Sequence, residues 1–455
     1  MLGVLLVLGL AVRFWAMRWP PFPFDMTTWI AWGERLRAVG PDDFYQEGYF
    51  ADYTPGYLYV VWLIAEVKHA FFASAGTGAY QILHRLPATI CDLAIAVVIF
   101  RFVEQQVARR GFTVPGVTAG DAWPVLPATV TALWLFNPAV IFNSAVWGQV
   151  DSTFTLAALL ALVFLIGGRP EAGIASHAVA FLIKPHAITI APVMVLSLLL
   201  WYPPARILRA IGLGVLVGVV LLVPFFGVRF IPGLWNLLAD SRQQYAYTSL
   251  YSYNLWGIYG FWRDDSLSVF GPLSARGIGL ALFVMGLAYG ISMLWTEMRR
   301  GADRAFTVFL FSTYFALMPV MVLTTMHERY FYPVLPLLLI FATLCYIRWS
   351  GAATARVSPP RFLLVPLFLY LALTVLHTIN LYQVYEFYIF FNSGGVPADN
   401  SLYHRIAGSA KVWSVLFVLC FWIYVVLMPF WVTDSRLEDD AAVEAESPPL
   451  QPKPV

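Results

Sequence analysis

The chain has 455 residues, of which 60% are hydrophobic and only 12% charged. Soluble domains carry about 25% charged residues, so this chain cannot present water-compatible surface all round. Its formal net charge of +2 excludes the basic surface that nucleic acid requires, and its three cysteines, Cys91, Cys345 and Cys420, stand far apart in apolar runs, which indicates neither a zinc site nor a disulfide framework.

The first element, MLGVLLVLGLAVRFWAM, lacks the basic lead and small-residue cleavage site of a signal peptide, and reads as a retained membrane anchor. A bilayer core of about 30 Å asks for about 20 apolar residues per helix. In chain order, suitable runs centre near Leu8, Ile95, Thr131, Leu159, Val179, Val195, Val215, Met285, Leu310, Leu338, Leu371 and Val418. They predict an all-α, polytopic transmembrane protein of about twelve spans. The runs around Val179 and Val195 are separated only by Lys184-Pro185 and are taken as two short spans with Lys184 at the break. Arginines group at 101, 109 and 110, at 206 and 209, at 299, 300 and 304, and at 348, 356 and 361. Basic residues accumulate on the cytoplasmic side, which puts residues 14–84, 137–151, 226–265, the surroundings of His327, and 380–411 outside, with both termini in the cytoplasm. Residues 57–73 are apolar but carry Glu66, Lys68 and His69, so they are expected to form an amphipathic helix in the outer interface within one long first extracytoplasmic loop. The acidic, Pro-rich tail 434–455 reads as disordered and cytoplasmic.

Ionisable residues near membrane spans are costly, and each is a functional candidate unless it serves snorkelling or helix pairing. Here they cluster on one side. Asp25 follows the first span, and Asp52 precedes the turn Tyr53-Thr54-Pro55-Gly56. A carboxylate just outside the bilayer suits a general base acting on a hydroxyl. Asp42, Asp43 and Glu47 read more simply as a solvated loop. Asn137-Pro138 breaks a helix, after which Asn143, Trp147, Gln149 and Asp151 crowd a short turn where amides and an indole edge can bind sugar hydroxyls. Helix capping by Asp151 or Ser152 explains one of these residues but not the group. Lys184 needs an anionic partner, and at an outward tip it is expected to hold the donor phosphate with Arg329 and His327, an ion pair with a carboxylate on a neighbouring helix being the lesser alternative. His327, Glu328 and Arg329 are consecutive between two apolar spans, and arginine binds phosphate through a planar fork. Carboxylates for a base, cations for a phosphate, and amides with aromatics for a sugar suit transfer from a phosphate-linked donor in the same bilayer.

These pieces, FPFDMTTWIAWGERL, DYTPGYLY, RLPATICDL, NPAVIFNSAVWGQVDS, FLIKPHA and MHERYFYPVLP, resemble the GT-C superfamily of membrane glycosyltransferases over roughly residues 20–335. The resemblance is greatest to prokaryotic relatives of the GPI-anchor mannosyltransferases, and more distant to the dolichyl-phosphate-glucose-dependent glucosyltransferases. It implies a module at 1–226 that holds the catalytic first outer loop (18–84), and a second transmembrane module at 227–433. It implies a base on Asp25, a second acidic position on Asp52, a donor-phosphate triplet at His327, Glu328 and Arg329, and pocket roles for Gln149 and Asp151. Asp25 and Asp52 both stay open as the base. The expected activity is inverting, metal-independent transfer of a hexose, mannose on resemblance alone, from a polyprenyl phosphate to an unspecified glycan, lipid or protein acceptor. It uses no cofactor, at the outer face of the cell membrane. Rivals are an oligosaccharide polymerase or ligase using polyprenyl diphosphate, a transporter or flippase, and a non-catalytic scaffold.

Overall fold

The computed structural model describes residues 1–110, 125–354, 360–392 and 401–446. Each of the twelve apolar runs coincides with a helix. Among the described residues, seven helices are long and apolar enough to cross a membrane: Thr77–Arg109, Pro204–Ser241, Ala275–Arg299, Arg304–Val322, Glu328–Ser350, Arg361–Phe390 and Ala410–Thr433. An eighth crossing arises if Val125–Leu135 and Pro138–Trp147, bent by 46°, form one span. Leu2–Ala16, Asp151–Ile166, Pro170–Ile183 and Pro185–Trp201 are apolar but shorter, so length and composition support seven or eight spans and not the full twelve.

The breaks follow local chemistry. At residue 137 the Asn137 side chain accepts from the backbone N–H groups of Ala139 and Val140, and Pro138 supplies the first position of the new helix. Lys184 is extended (φ −151°) between Ile183 and Pro185, so the Val179 and Val195 runs are separate helices as expected. The first outer loop folds into two helices, Pro23–Val39 and Pro55–Phe71, before the long Thr77–Arg110 helix begins. The second of these covers the run expected to be amphipathic. Gly56 lies at its start because any side chain there would run into the backbone of Leu182, 2.4 Å from an added Cβ. That contact brings the first loop onto the Lys184 break. At the far end, the Ala410–Glu446 helix runs on into the tail expected to be disordered, and residues 447–455 lie outside the described residues.

Burial runs from inside outwards. The Arg304–Val322 window is 100% buried, whereas the Pro204–Ser241 window is 11% buried and exposes Leu208, Val215 and Val220. Apolar side chains turned outward around a packed centre are the pattern of a lipid-facing surface. Among the described residues, strands are limited to short pairs. Ser249–Leu250 runs parallel to Met326–His327, and Ser268–Phe270 pairs with Leu273–Ser274. The first pair joins the segment after Phe230–Gln243 to the His327 triplet.

Two ends of the bundle differ in chemistry. Helix Asp151–Ile166 starts among the acidic candidates and ends two residues before Gly168, whose carbonyl accepts from Arg206. Arg206 also pairs with Glu171, and Arg304 lies over the Trp201 ring. The basic turns at 206 and 304 therefore gather one helix length, about 24 Å, from Asp151.

Candidate functional site

One pocket is lined by Asp25, Asp52, His327, Glu328 and Arg329, five of the ten candidates read from sequence. Its cavity is about 180 Å³, and its walls are mainly aromatic, including Trp29, Trp32, Tyr53, Tyr251, Trp262 and Tyr388.

Asp25 enters from the first turn of the Pro23–Val39 helix, where the helix dipole favours a carboxylate. Its Oδ2 accepts from Trp147 Nε1 at 2.8 Å and from Gln149 Nε2. No described residue donates to Oδ1. Trp147 is itself fixed: its ring stacks on Phe22 at 4.2 Å, and its carbonyl accepts the Phe22 N–H. Gly148 follows at φ +91°, and an added Cβ would lie 2.9 Å from Met26 Cε and 3.1 Å from Arg85 Cγ. A side chain there would be strained in conformation and in space, so glycine sets the turn that aims Trp147 and Gln149 at Asp25. Arg85 closes the same turn from behind, donating to the carbonyls of Met17, Trp19 and Ala145.

Asp52 enters from the connection between the two first-loop helices. Its Oδ2 accepts from Tyr245 Oη at 3.2 Å. Burial pushes its carboxyl above the ordinary carboxylate range and neighbouring Asp25 adds to this, while the Tyr245 hydrogen bond and the Arg329 charge pull the other way.

The cationic side is Arg329. Its Nη1 lies 3.0 Å from Glu328 Oε1 and 3.4 Å from His327 Nδ1. Its Nε is buried and has no hydrogen-bond partner among the described residues. Burial, with Arg329 and Lys184 nearby, pushes His327 well below its usual range, so its ring is neutral near pH 7. Thr325, two residues earlier, holds a left-handed φ of +64°, a conformation costly for a β-branched residue. It lies at the turn into the short strand that presents His327.

The remaining five candidates do not line this pocket. Trp147 and Gln149 stand behind Asp25 and orient it. Lys184 and Asp151 are brought to each other: the ammonium donates to Asp151 Oδ1, and the two side chains are 7% and 0% exposed. Asn143 Nδ2 donates to the other Asp151 oxygen at 3.2 Å. Lys184, expected at the donor phosphate, instead meets the lesser alternative in this structure, the carboxylate on a neighbouring helix. A cation in apolar surroundings is least costly when paired. Asp151, expected at the sugar, is that partner and is neither exposed nor a helix cap.

Residues not anticipated from sequence complete the arrangement. Tyr245 and the aromatic walls carry no local signal that distinguishes them from interface aromatics. Asp92 and Arg13 did carry one, since both are ionisable within apolar runs. They form a fully buried ion pair at 2.9 Å. Asp92 also accepts from Ser144 (2.6 Å), Ser152 (2.6 Å) and Tyr332 (2.5 Å). This carboxylate ties the turn holding Trp147 and Gln149 to the segment that follows Arg329. Among the described residues, no three His, Cys, Asp or Glu side chains converge as metal ligands would.

A scan against models of known protein families finds no match to this sequence, and a search of curated proteins finds none either.

Proposed function

We propose that this chain is a membrane glycosyltransferase of GT-C type that moves a single hexose, with mannose the favoured sugar, from a polyprenyl-phosphate donor to an extracytoplasmic acceptor. The observation that carries the reading is one pocket that joins an oriented carboxylate, Asp25, to a buried guanidinium, Arg329. A base and an anion site within one small cavity suit substitution at an anomeric carbon whose leaving group is a phosphate.

In this mechanism Asp25 Oδ1 takes the proton of the acceptor hydroxyl, while Trp147 and Gln149 hold Oδ2. The acceptor oxygen forms its bond to the anomeric carbon from the face opposite the phosphate. The bond from that carbon to the phosphate oxygen breaks, and its electron pair leaves with the lipid phosphate. One displacement inverts the configuration. Arg329, positioned by Glu328, receives the phosphate charge through its planar fork, and neutral His327 adds a hydrogen bond. Asp52, hydrogen-bonded to Tyr245, supports the sugar or acceptor hydroxyls, and stands as the alternative base. Lys184 and Asp151 act together as an internal prop beneath the Tyr330 and Tyr53 rings, 5.0 and 6.0 Å from the ammonium.

The cavity size favours one sugar over the oligosaccharide of a diphosphate-dependent polymerase or ligase, since about 180 Å³ has room for on the order of ten waters. The wider reading places the chain in the cell membrane, with the four shorter apolar helices completing about twelve spans, the pocket outside, the basic turns in the cytoplasm, and catalysis independent of metal ions.

The test is release of polyprenyl phosphate by purified protein. Synthetic polyprenyl-phosphate mannose and polyprenyl-phosphate glucose serve as donors, a crude membrane extract supplies acceptor, and Asp25→Asn is assayed alongside. Release from one donor that is lost in the variant supports class, donor and base together. Release unaffected by Asp25→Asn moves the base to Asp52. Folded protein inactive with both donors refutes the reading.

A further inference from the structure

Protein interiors give buried indole N–H groups a hydrogen-bond partner, because an unsatisfied buried donor costs about as much as the bond it lacks. Among the described residues, the buried tryptophans obey that rule with one exception. Trp32 donates to the Phe50 carbonyl, Trp134 to Asp92, Trp147 to Asp25, Trp256 to Val322 and Trp431 to Phe362. Trp29 is 2% exposed, and its Nε1 has no hydrogen-bond partner among the described residues. It is also a wall of the pocket, one helical turn beyond Asp25 on the same face of the Pro23–Val39 helix.

Its surroundings hold it rigidly. The ring meets Trp32, Tyr53 and Tyr57 edge to face at 5.2, 4.8 and 5.2 Å. A fixed aromatic body with an unspent donor is suited to a pyranose, whose C–H face packs on rings while its hydroxyls accept hydrogen bonds. An isoprenoid chain offers no acceptor for that N–H. Arg329 Nε is the matching case on the phosphate side, a buried N–H without a partner in the same pocket.

We infer that the Trp29 indole N–H is the hydroxyl-reading group of a carbohydrate subsite, donating to a ring hydroxyl of the sugar held beside Asp25. This rests on the pocket being a sugar-transfer site, and it deepens that reading by naming the residue that selects the sugar. The sugar is either the one transferred or the one that receives it, and the two are separable by assay.

The experiment uses full-length protein in detergent with ¹⁵N-labelled tryptophan, the Trp29 indole resonance being assigned by its absence in Trp29→Phe. Methyl mannoside and methyl glucoside are titrated in, and release of lipid phosphate from polyprenyl-phosphate mannose and glucose is measured in parallel. The expected result is that one glycoside moves the Trp29 resonance, and that Trp29→Phe raises a KM about tenfold, as for the loss of one neutral hydrogen bond. A rise in the KM for donor at saturating extract assigns the bond to the transferred sugar, and a rise in the KM for extract at saturating donor assigns it to the acceptor. Because the N–H has no partner to lose, Trp29→Phe should also unfold at a higher temperature than Trp32→Phe, which breaks the bond to Phe50. A Trp29 resonance that no sugar moves, with release unchanged in Trp29→Phe, overturns the inference and leaves the N–H resting on the Tyr53 or Tyr57 ring. A shifted resonance without release from either donor refutes glycosyl transfer but keeps the indole as a sugar donor. Absence of both removes both.

Discussion

Replacing Lys184 by methionine removes a charge and keeps the length of the side chain, and it separates the phosphate-binding role expected from sequence from the ion pair present in the structure. If the ammonium serves Asp151, Lys184→Met leaves a fully buried carboxylate without its partner. Breaking one side of a buried pair costs about 3–5 kcal/mol, most of it the uncompensated charge. With Lys184 at 7% and Asp151 at 0% side-chain exposure, little solvent screening reduces that figure. Replacing both residues, as in Lys184→Met with Asp151→Leu, removes both charges and should restore most of the stability, because apolar replacements of buried pairs are often neutral or better. The residual cost should be one hydrogen bond, since Asn143 loses its acceptor at Asp151. The assay is thermal unfolding in detergent for the wild type, each single variant and the double variant, read as a double-mutant cycle with lipid-phosphate release measured on the same samples. A large, positive coupling with activity recovered in the double variant supports the ion pair as a prop. A double variant no more stable than Lys184→Met refutes the argument. So does a Lys184→Met protein that is stable but binds donor weakly, which would return the ammonium to the phosphate.

Four other outcomes are expected. Asp25→Asn should lower the rate of transfer by about 10²–10⁴-fold with little change in unfolding temperature, the usual contribution of a general base, measured as initial rates of lipid-phosphate release. Arg329→Lys keeps the charge but not the fork, so the donor KM should rise about tenfold or more, at about 1.5–3 kcal/mol per charge-assisted bond. Asp92→Asn should destabilise by about 3–5 kcal/mol, by leaving buried Arg13 without its counter-charge, and Asp92→Asn with Arg13→Met should recover part of it in thermal unfolding. For Asp52 the folded carboxyl is raised, so in the window above the ordinary carboxylate range the folded state binds more protons than the unfolded one, and stability falls as pH rises through it. Asp52→Asn should therefore unfold at a higher temperature than wild type near neutral pH, with the difference closing as the pH falls below the ordinary carboxylate range.

What was legible from sequence follows from what a bilayer demands. Each apolar run has to satisfy its backbone internally, so all twelve runs are helices, and Asn137-Pro138 and Lys184-Pro185 break them as proline chemistry requires. Asp25, Asp52 and the 327–329 triplet were readable as a group because ionisable residues are expensive beside a membrane and these fall on the same side of it. Partnership was not readable. Lys184 looks the same in sequence whether it meets a phosphate or Asp151, and only the approach of Pro170–Ile183 to Asp151–Ile166 brings the two charges together. Asp151 and Asn143 share a turn with Trp147 and Gln149, yet the π-helical run Phe142–Trp147 and the left-handed Gly148 turn one pair toward Asp25 and the other into the bundle. Trp29 is one of 17 tryptophans, and nothing local marks it. Its unpartnered N–H exists only once the pocket has formed around it. Sequence thus determined where the helices run and where charge concentrates, because burial of apolar surface and backbone hydrogen bonding depend on local pattern. Tertiary structure alone decided which charges cancel and which face the cavity, because a buried charge is governed by the nearest group in space, about 3 Å away, and not by its neighbours along the chain.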